Sequence, residues 1–270
     1  MDEREIVSLI KDLRKDHPRM GGRKLYSLLK EELTKREIRI GRDAFFDLLE
    51  SNHLLIRRRR RKVVTTFSGH GFRKYPNLIV DLEINKPNQV WVADITYWLT
   101  QYSWLYISLI TDAYSKRIMG YAVAETLEAV HCKSALQMAL SKIDTQLGKS
   151  LIHHSDRGLQ YCSGQYVSLL NSYHVMISMT EKSDPRENAI AERVNGIIKN
   201  EYLIHQPVYS LAQAQAVLEQ AVFLYNYQRP HLSCDMLVPD QAHQLKGKLK
   251  RRWKNYYHKK VTQNAVDNEI

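Results

Sequence analysis

Three acidic residues in the middle of the chain have the chemistry and spacing to hold divalent cations. Asp94 interrupts an apolar run, Asp156 follows a second apolar run, and Glu192 lies on an amphipathic segment with 35 residues between it and Asp156. Three carboxylates without a nearby thiolate favour Mg²⁺ or Mn²⁺ over zinc. Two such ions, about 3.5 to 4 Å apart, would hold the attacking and leaving oxygens of a phosphodiester in line. This chemistry requires a fold that brings the three carboxylates together.

Each acid also has an ordinary structural interpretation. Most glutamates on a helix face water, and a carboxylate within an apolar strand is costly to desolvate without a partner. At helical spacing Glu192 shares a polar stripe with Asn188, Asn195, Gly196 and Lys199, opposite an apolar side. The stripe is therefore either a solvated helix face or one wall of a site.

The segments around these acids predict an α/β domain. The runs QVWVADITYWLT, SWLYISLIT and RIMGYAVAE predict an antiparallel meander because only short links separate them. A helix from Leu127 to Leu147, the strand SLIHHSD, a helix from Gly164 to Tyr173, the strand HVMIS and the helix bearing Glu192 follow. The order βββαβαβα is typical of a ribonuclease-H-like core, a five-stranded mixed sheet flanked by helices. Its first and fourth strands are neighbours, so we expect Asp94 and Asp156 to converge.

The N-terminal region predicts a small all-α domain that precedes this core. Apolar residues recur at helical spacing in three stretches, separated by HPRMGG and REIRIGRD. Short helices joined by glycine-containing turns are typical of a helix-turn-helix unit, which binds DNA through a positive face. The candidates for that face are Arg19, Arg23, Lys24, Arg39 and Arg42.

Positive charge is concentrated at both ends of the chain. The net charge of +11 divides into +7 for residues 1–62, −2 for residues 63–240 and +6 for residues 241–270. Basic ends around a slightly acidic middle are expected when the ends hold a polyanion. One basic run is either a DNA-tracking arm or a solubilising segment, and comprises Arg57, Arg58, Arg59, Arg60, Arg61 and Lys62. The C-terminal run KGKLKRRWKNYYHKK, with Arg251 and Arg252, is either a nucleic-acid-binding segment or a disordered basic tail.

These patterns divide the chain into four parts. We predict a helix-turn-helix domain with a basic arm at 1–62, a linker at 63–87, the catalytic core at 88–243 and a basic tail at 244–270. A hydrophobic content of 44%, a mean hydropathy of −0.44 and the absence of an apolar run of about 18 residues exclude a membrane span. The charged N-terminus excludes a signal peptide, so we expect a cytoplasmic protein. The three scattered cysteines support neither a disulfide framework nor a zinc site.

Four motifs at matching distances resemble one family. The strings WVADITY, HHSDRGLQY and ENAIAERVNGIIKNE resemble the acidic motifs of DDE transposases and retroviral integrases, most closely the insertion sequence three family. The 35-residue gap, Lys199 seven positions after Glu192, and YNYQRPH followed by Pro239 also fit that family. The string HPRMGGRKLYSLL resembles its helix-turn-helix segment, so the resemblance covers about Ile6 to His243.

The resemblance implies a DNA transposase whose Asp94, Asp156 and Glu192 hold two Mg²⁺ or Mn²⁺ ions. It implies phosphodiester hydrolysis and strand transfer on double-stranded DNA, at the terminal repeats of the element and at a target, by a homodimer or higher synaptic complex in a bacterial cell. Arg157, Lys199, Arg229 and His231 are its expected DNA contacts, although Arg229 and His231 could instead lock the last helix to the core. The rival functions are a ribonuclease-H-like nuclease without strand transfer and a non-catalytic DNA-binding regulator.

The chain departs from the family pattern in a few places. Glu187 stands where an aspartate is usual, and LSCDMLVP replaces a glycine-containing stretch. No heptad zipper of the kind supplied by an upstream reading frame is visible. For Asp112 we favour a turn role, and for His153 and His154 an orienting or structural role over metal ligation.

Overall fold

The computed structural model describes residues 3–56, 71–181, 185–250 and 252 of the 270-residue chain. The basic run from Arg57 to Lys62, Arg251 and the tail from residue 253 lie outside the described residues, so the DNA contacts expected there stay predictions. The boundaries of the four sequence-defined parts also stay predictions. Within the described ranges, no helix combines the length and apolar character needed to cross a membrane.

The described residues form helices at both ends of the chain and a single sheet between them. The strands are β1 (Val90–Leu99), β2 (Trp104–Asp112), β3 (Ile118–Ala124), β4 (Ile152–Ser155) and β5 (Met176–Met179). The α-helices are α1 (Glu3–Asp16), α2 (Gly22–Lys35), α3 (Arg42–Ser51), α4 (Ala129–Leu140), α5 (Thr145–Gly148), α6 (Leu159–Cys162), α7 (Gly164–Ser172), α8 (Ala189–Ile197), α9 (Leu211–Tyr227) and α10 (Pro239–Ala242).

The sheet has the strand order β3-β2-β1-β4-β5. The strands β1, β2 and β3 form the antiparallel meander, and β4 and β5 add to the β1 edge in parallel. Alternation along β1 buries side chains on both faces of the sheet. Trp91 packs with α4 and α7 on one face, and Trp98 packs with α8 and α9 on the other. The α/β, ribonuclease-H-like fold predicted from the sequence is confirmed.

The three N-terminal helices have their own hydrophobic core. Ile10, Leu25 and Phe45 are fully buried, one from each helix. Gly22 permits close packing of α2 on α3, because a Cβ there would lie 2.9 Å from the Phe46 ring. The unit contacts the sheet-containing part of the chain through buried His17, whose Nδ1 is 3.0 Å from the Tyr202 hydroxyl.

Two helices differ from their sequence predictions. The helix expected from Leu127 to Leu147 is divided in two. The first part, α4, ends at Leu140, and the Asp144 side chain accepts a hydrogen bond from Leu147 N at 2.8 Å and caps the separate turn α5. The helix bearing Glu192 is not uniform, since a 3₁₀ turn (Pro185–Asn188) precedes α8 and a π-helical segment (Ile198–Leu203) follows it. The Glu187 carboxylate accepts a hydrogen bond from Glu181 N at 2.7 Å.

Candidate active site

Strand β1 places Asp94 on the face of the sheet that carries α8. The side chain is half-buried, and each carboxylate oxygen accepts one hydrogen bond. Ile95 N donates to Oδ1 at 2.9 Å, and the Asn195 amide of α8 donates to Oδ2 at 2.8 Å. The Asp94 carboxylate is therefore held in a defined orientation.

Strand β4 brings Asp156 beside Asp94. The parallel register pairs Val92 of β1 with His154 of β4. Asp94 and Asp156 each come two residues later in the sequence, so they occupy neighbouring positions. Asp156 lies just beyond the end of β4, and its Oδ1 accepts a hydrogen bond from Gly158 N at 2.9 Å. The convergence expected from strand order is thus present in the structure.

The environment of Asp94 is electrostatically strained. Burial and the negative charge of Asp156 raise its pKa to about 7, while the hydrogen bonds from Asn195 and Ile95 act in the opposite direction. The charge of Glu192 also raises this pKa, as the smallest of the contributions. Two carboxylates that repel each other in a partly dry site are a favourable place for a bound cation.

Helix α8 carries Glu192 in its first turn, with the side chain exposed. Among the described residues, no group of three or more His, Cys, Asp or Glu side chains is arranged to hold a metal ion. The fold therefore assembles the Asp94 and Asp156 pair, with Glu192 near enough to influence Asp94 but outside a preformed cluster. The all-oxygen donor set fits a hard divalent cation such as Mg²⁺ or Mn²⁺.

Lys199 lies two turns beyond Glu192, in the π-helical segment. Its ammonium sits 4.2 Å from the centre of the Tyr97 ring, and partial burial lowers its pKa. Tyr97 belongs to β1 three residues after Asp94, so Lys199 lies against the strand that carries Asp94.

The two histidines before Asp156 have structural roles. His153 contacts the Tyr166 hydroxyl through Nε2 at 2.9 Å, and His154 lies 2.8 Å from Ser178 Oγ and 3.1 Å from Glu187 O. Burial lowers the pKa of His153 to about 3 and that of His154 to about 4, so both rings are neutral near pH 7. This arrangement agrees with the structural interpretation favoured from sequence.

Asp112 has the turn role that we favoured. Its Oδ1 accepts hydrogen bonds from the Ser115 N and Oγ, both at 2.7 Å, and its Oδ2 accepts one from Asn88 N at 2.7 Å. In the sheet register Asp112 faces Trp91, three residues from Asp94 along β1. It is therefore a buried turn-forming carboxylate.

The structure corrects three of the expected DNA contacts. Arg229 is fully buried, and Nε and Nη2 donate to the two carboxylate oxygens of Glu201 at 2.8 and 2.7 Å. Lys24 lies 3.8 Å from the same carboxylate with little exposed surface. His231 is 7% exposed and packs edge-on against the Tyr225 ring. The prediction that Arg229, Lys24 and His231 contact DNA is wrong for this conformation, because their polar groups face the protein interior.

The YNYQRPH segment instead locks α9 to the sheet. The Tyr225 hydroxyl donates to Lys116 O at 2.9 Å, and the Asn226 side chain pairs with the backbone N–H and C=O of Ile118 at 2.9 and 3.0 Å. The locking role is thus the one that these contacts support.

The side chains of the remaining basic candidates are exposed or partly exposed, so they are accessible to DNA. Arg23 and Arg42 are exposed, and Arg42 pairs with its neighbour Asp43 at 2.8 Å. Arg19 and Arg157 are half-buried, and Arg19 Nη1 is 2.9 Å from His205 Nε2. Arg252 is exposed, and its guanidinium pairs with Asp235.

Sequence reasoning missed three donors around the carboxylate pair. Asn195 donates to Asp94, Gly158 N donates to Asp156, and Asn188 donates to the carbonyl of Ala93, next to Asp94. Asn188 and Asn195 appeared only as members of the polar stripe, and Gly158 not at all. Their spacing from the acids could have indicated them. Asn188 lies four residues before Glu192 and Asn195 three residues after it, and Gly158 lies two residues after Asp156.

Replacing Gly158 with alanine is expected to slow DNA cleavage by roughly tenfold to a hundredfold without unfolding the protein. A Cβ at this position would lie 2.9 Å from Asp156 Oδ1, so the carboxylate must rotate away. The backbone, at φ −64° and ψ 145°, accepts alanine without strain. Gly164→Ala is the matched control because a Cβ there meets nothing within 4 Å. Equal cleavage rates for the two variants, measured on an element-end oligonucleotide, would show that the Asp156 orientation is unimportant.

The fold defines a ribonuclease-H-like protein of the integrase-core class. Sequence profiles described as integrase core domain match residues 84–185 and 173–239. A 31 kDa protein of insertion element IS600 from Shigella sonnei is 36% identical over 213 residues, covering 78% of the chain and 78% of that protein. Transposase InsF for insertion sequence IS3A of Escherichia coli (strain K12) is 32% identical over 178 residues, covering 65% of the chain and 61% of that transposase. The chain belongs to the insertion-sequence transposase family that carries an integrase core domain.

Solved structures with a similar fold include retroviral integrases. The catalytic core domain of HTLV-2 integrase in complex with magnesium aligns with a TM-score of 0.46 at 24% identity, covering 58% of the chain and 97% of that domain. The simian T-cell lymphotropic virus intasome aligns with a TM-score of 0.49 at 16% identity, covering 87% of the chain and 79% of the aligned intasome chain.

Proposed function

We propose that the chain hydrolyses a phosphodiester at the ends of an insertion sequence and then transfers the freed 3′-hydroxyl to another phosphodiester. The observation that carries this proposal is the placement of Asp94 on β1 and of Asp156 just after the neighbouring parallel strand β4, with Glu192 on α8. Membership of the insertion-sequence transposase family supports the reaction class. The protein would thus be a polynucleotidyl transferase as well as a nuclease.

In this proposal Asp94, Asp156 and Glu192 hold two Mg²⁺ or Mn²⁺ ions. When bound, these cations supply positive charge to the attacking and leaving oxygens of the phosphodiester. Asp94 and Asp156 provide oxygen ligands from a rigid sheet, and Glu192 provides the third from α8. Glu192 is exposed on α8, and its charge raises the pKa of Asp94, which supports its place beside the pair.

The proposed substrate is double-stranded DNA, first the terminal repeats of the element and then a target. Lys199 would contact a DNA phosphate, since its ammonium lies against Tyr97 of β1, the strand that carries Asp94. The remaining proposed contacts are Arg19, Arg23, Arg42, Arg157 and Arg252, with Arg57, Arg58, Arg59, Arg60, Arg61, Lys62 and Arg251 outside the described residues. A dimer or higher synaptic complex would bring two ends together, and we place the reaction in the bacterial cytoplasm.

The test is a pair of assays on one oligonucleotide design, with the end sequence taken from the inverted repeats that flank the coding region. Wild-type protein with Mg²⁺ should nick the uncut end, and it should join a pre-cut 3′ end to target DNA. Asp156→Asn should bind the DNA and do neither. Nicking without joining would identify a nuclease, and binding without either reaction would identify a DNA-binding regulator.

A further inference from the structure

Two buried asparagines connect α8 to β1 on either side of Glu192. Asn188 lies four residues before Glu192 and Asn195 three residues after it, so helical spacing places both on the Glu192 face. Their side chains are almost fully buried, at 6% and 3% exposed. We propose that Asn188 and Asn195 are positioning residues that fix the register of α8 on β1 and so orient Asp94 relative to Glu192. This inference rests on the proposed function.

Asn188 holds the start of the helix at the point where two strands separate. The pairing of β1 with β4 ends at Val92, and the next carbonyl, that of Ala93, accepts a hydrogen bond from Asn188 Nδ2 at 2.9 Å. The amide therefore satisfies a buried backbone group beside the carboxylate pair. Because Asn188 is the N-cap of α8, this contact also sets where the helix begins.

Asn195 holds the carboxylate itself. Its Nδ2 donates to Asp94 Oδ2 at 2.8 Å, while Ile95 N donates to Oδ1. Each Asp94 oxygen keeps lone pairs for a cation, but the plane of the carboxylate cannot rotate without breaking one of these bonds. A neutral amide does this without adding a charge that would compete with the cation for Asp94.

Both asparagines carry a buried polar atom that lowers the free energy of unfolding, and this argues against a purely packing role. Asn188 Oδ1 and Asn195 Oδ1 are buried and have no hydrogen-bond partner among the described residues. A buried polar atom left in that state costs about 1–3 kcal/mol. A purely packing role would not require an amide whose oxygen lacks a partner, so packing alone does not explain the choice of asparagine. Orientation of the carboxylates explains it.

The experiment measures Mn²⁺ binding to the full chain without DNA by electron paramagnetic resonance, together with DNA cleavage, DNA binding and thermal unfolding. Asn195→Ala and Asn188→Ala are each expected to raise the Kd for Mn²⁺ about tenfold to a hundredfold, as is usual when a group that orients a metal ligand is removed. Cleavage should fall with the lost affinity and recover partly at higher Mn²⁺. DNA binding should be unchanged.

Two further variants keep the inference falsifiable. Asn195→Leu conserves volume, so it should unfold at or above the Tm of Asn195→Ala and still bind Mn²⁺ weakly. Asn200→Ala is the matched control, because the Asn200 side chain is exposed and its amide donates to Gly196 O, one turn earlier in the chain, at 2.7 Å. Its Kd for Mn²⁺ should stay within about twofold of wild type, a change below 0.5 kcal/mol. Wild-type Mn²⁺ affinity in Asn195→Leu, or an equal loss in Asn200→Ala, would overturn the inference.

The outcomes also separate this inference from the proposed function. If wild-type protein binds Mn²⁺ but cleaves no DNA, the proposed function fails, and the Kd values of the asparagine variants still decide the positioning role. If wild-type protein cleaves DNA while both asparagine variants bind Mn²⁺ normally, the function stands and the positioning role is wrong.

Discussion

Glu192→Gln is expected to abolish DNA cleavage and joining while leaving DNA binding and folding intact. The amide keeps the size of the side chain but removes the negative charge that would complete the carboxylate set with Asp94 and Asp156. A cation that stabilises charge in the transition state contributes several kcal/mol, and each 1.36 kcal/mol corresponds to tenfold in rate, so we expect a loss of roughly a thousandfold or more. Because Glu192 is exposed, the substitution should not change the Tm.

The measurement compares single-turnover cleavage of an element-end oligonucleotide with DNA binding by fluorescence anisotropy at one salt concentration. Glu219→Gln is the matched control, since Glu219 is an exposed glutamate on α9, a helix that carries none of the three acids. Cleavage by Glu192→Gln at a rate near wild type would remove Glu192 from the site. If Glu219→Gln loses cleavage activity to the same extent, the effect comes from surface charge in general and not from the site.

Arg229→Met is expected to lower the free energy of unfolding by about 3–5 kcal/mol, because it leaves Glu201 without its closest partner in a mostly buried position. Burial alone would raise the pKa of Glu201, yet the hydrogen bonds and charge of Arg229 lower it overall. Lys24 remains 3.8 Å away and can compensate in part. Burial and the charge of Arg229 lower the Lys24 pKa to about 8, so Lys24 is the weaker partner.

The double variant Glu201→Gln with Arg229→Met separates the lost ion pair from lost packing. Removing both charges should be less destabilising than removing Arg229 alone, because no uncompensated buried carboxylate is left. Urea unfolding of the wild type, the two single variants and the double variant gives this comparison. If Arg229→Met leaves stability within about 0.5 kcal/mol of wild type and weakens DNA binding, the DNA contact first expected for Arg229 would be reinstated.

Most of the core topology could be predicted because its elements are encoded locally. Alternating apolar residues and short links specify the meander β1 to β3, and the apolar run before Asp156 specifies β4. The prediction of one long helix after the meander was wrong, because Asp144 caps a separate turn, α5, within the segment whose apolar spacing had indicated a continuous helix. The helix predicted to bear Glu192 is preceded by a 3₁₀ turn, whose residues Glu187 and Asn188 contact β4 and β1, and such contacts cannot be read from local spacing.

Residue chemistry and spacing in the sequence determined the order of elements, the three candidate acids and the family resemblance. Only the tertiary structure decided which polar groups are exposed. The sequence pattern around a charged residue does not indicate whether its side chain faces DNA or a buried partner. The contrast between Arg229 and Arg23 shows this: the first pairs with Glu201 inside the protein, and the second is exposed. The orienting contacts to Asp94 likewise depend on a helix residue 101 positions away in the chain, a distance at which local patterns carry no information.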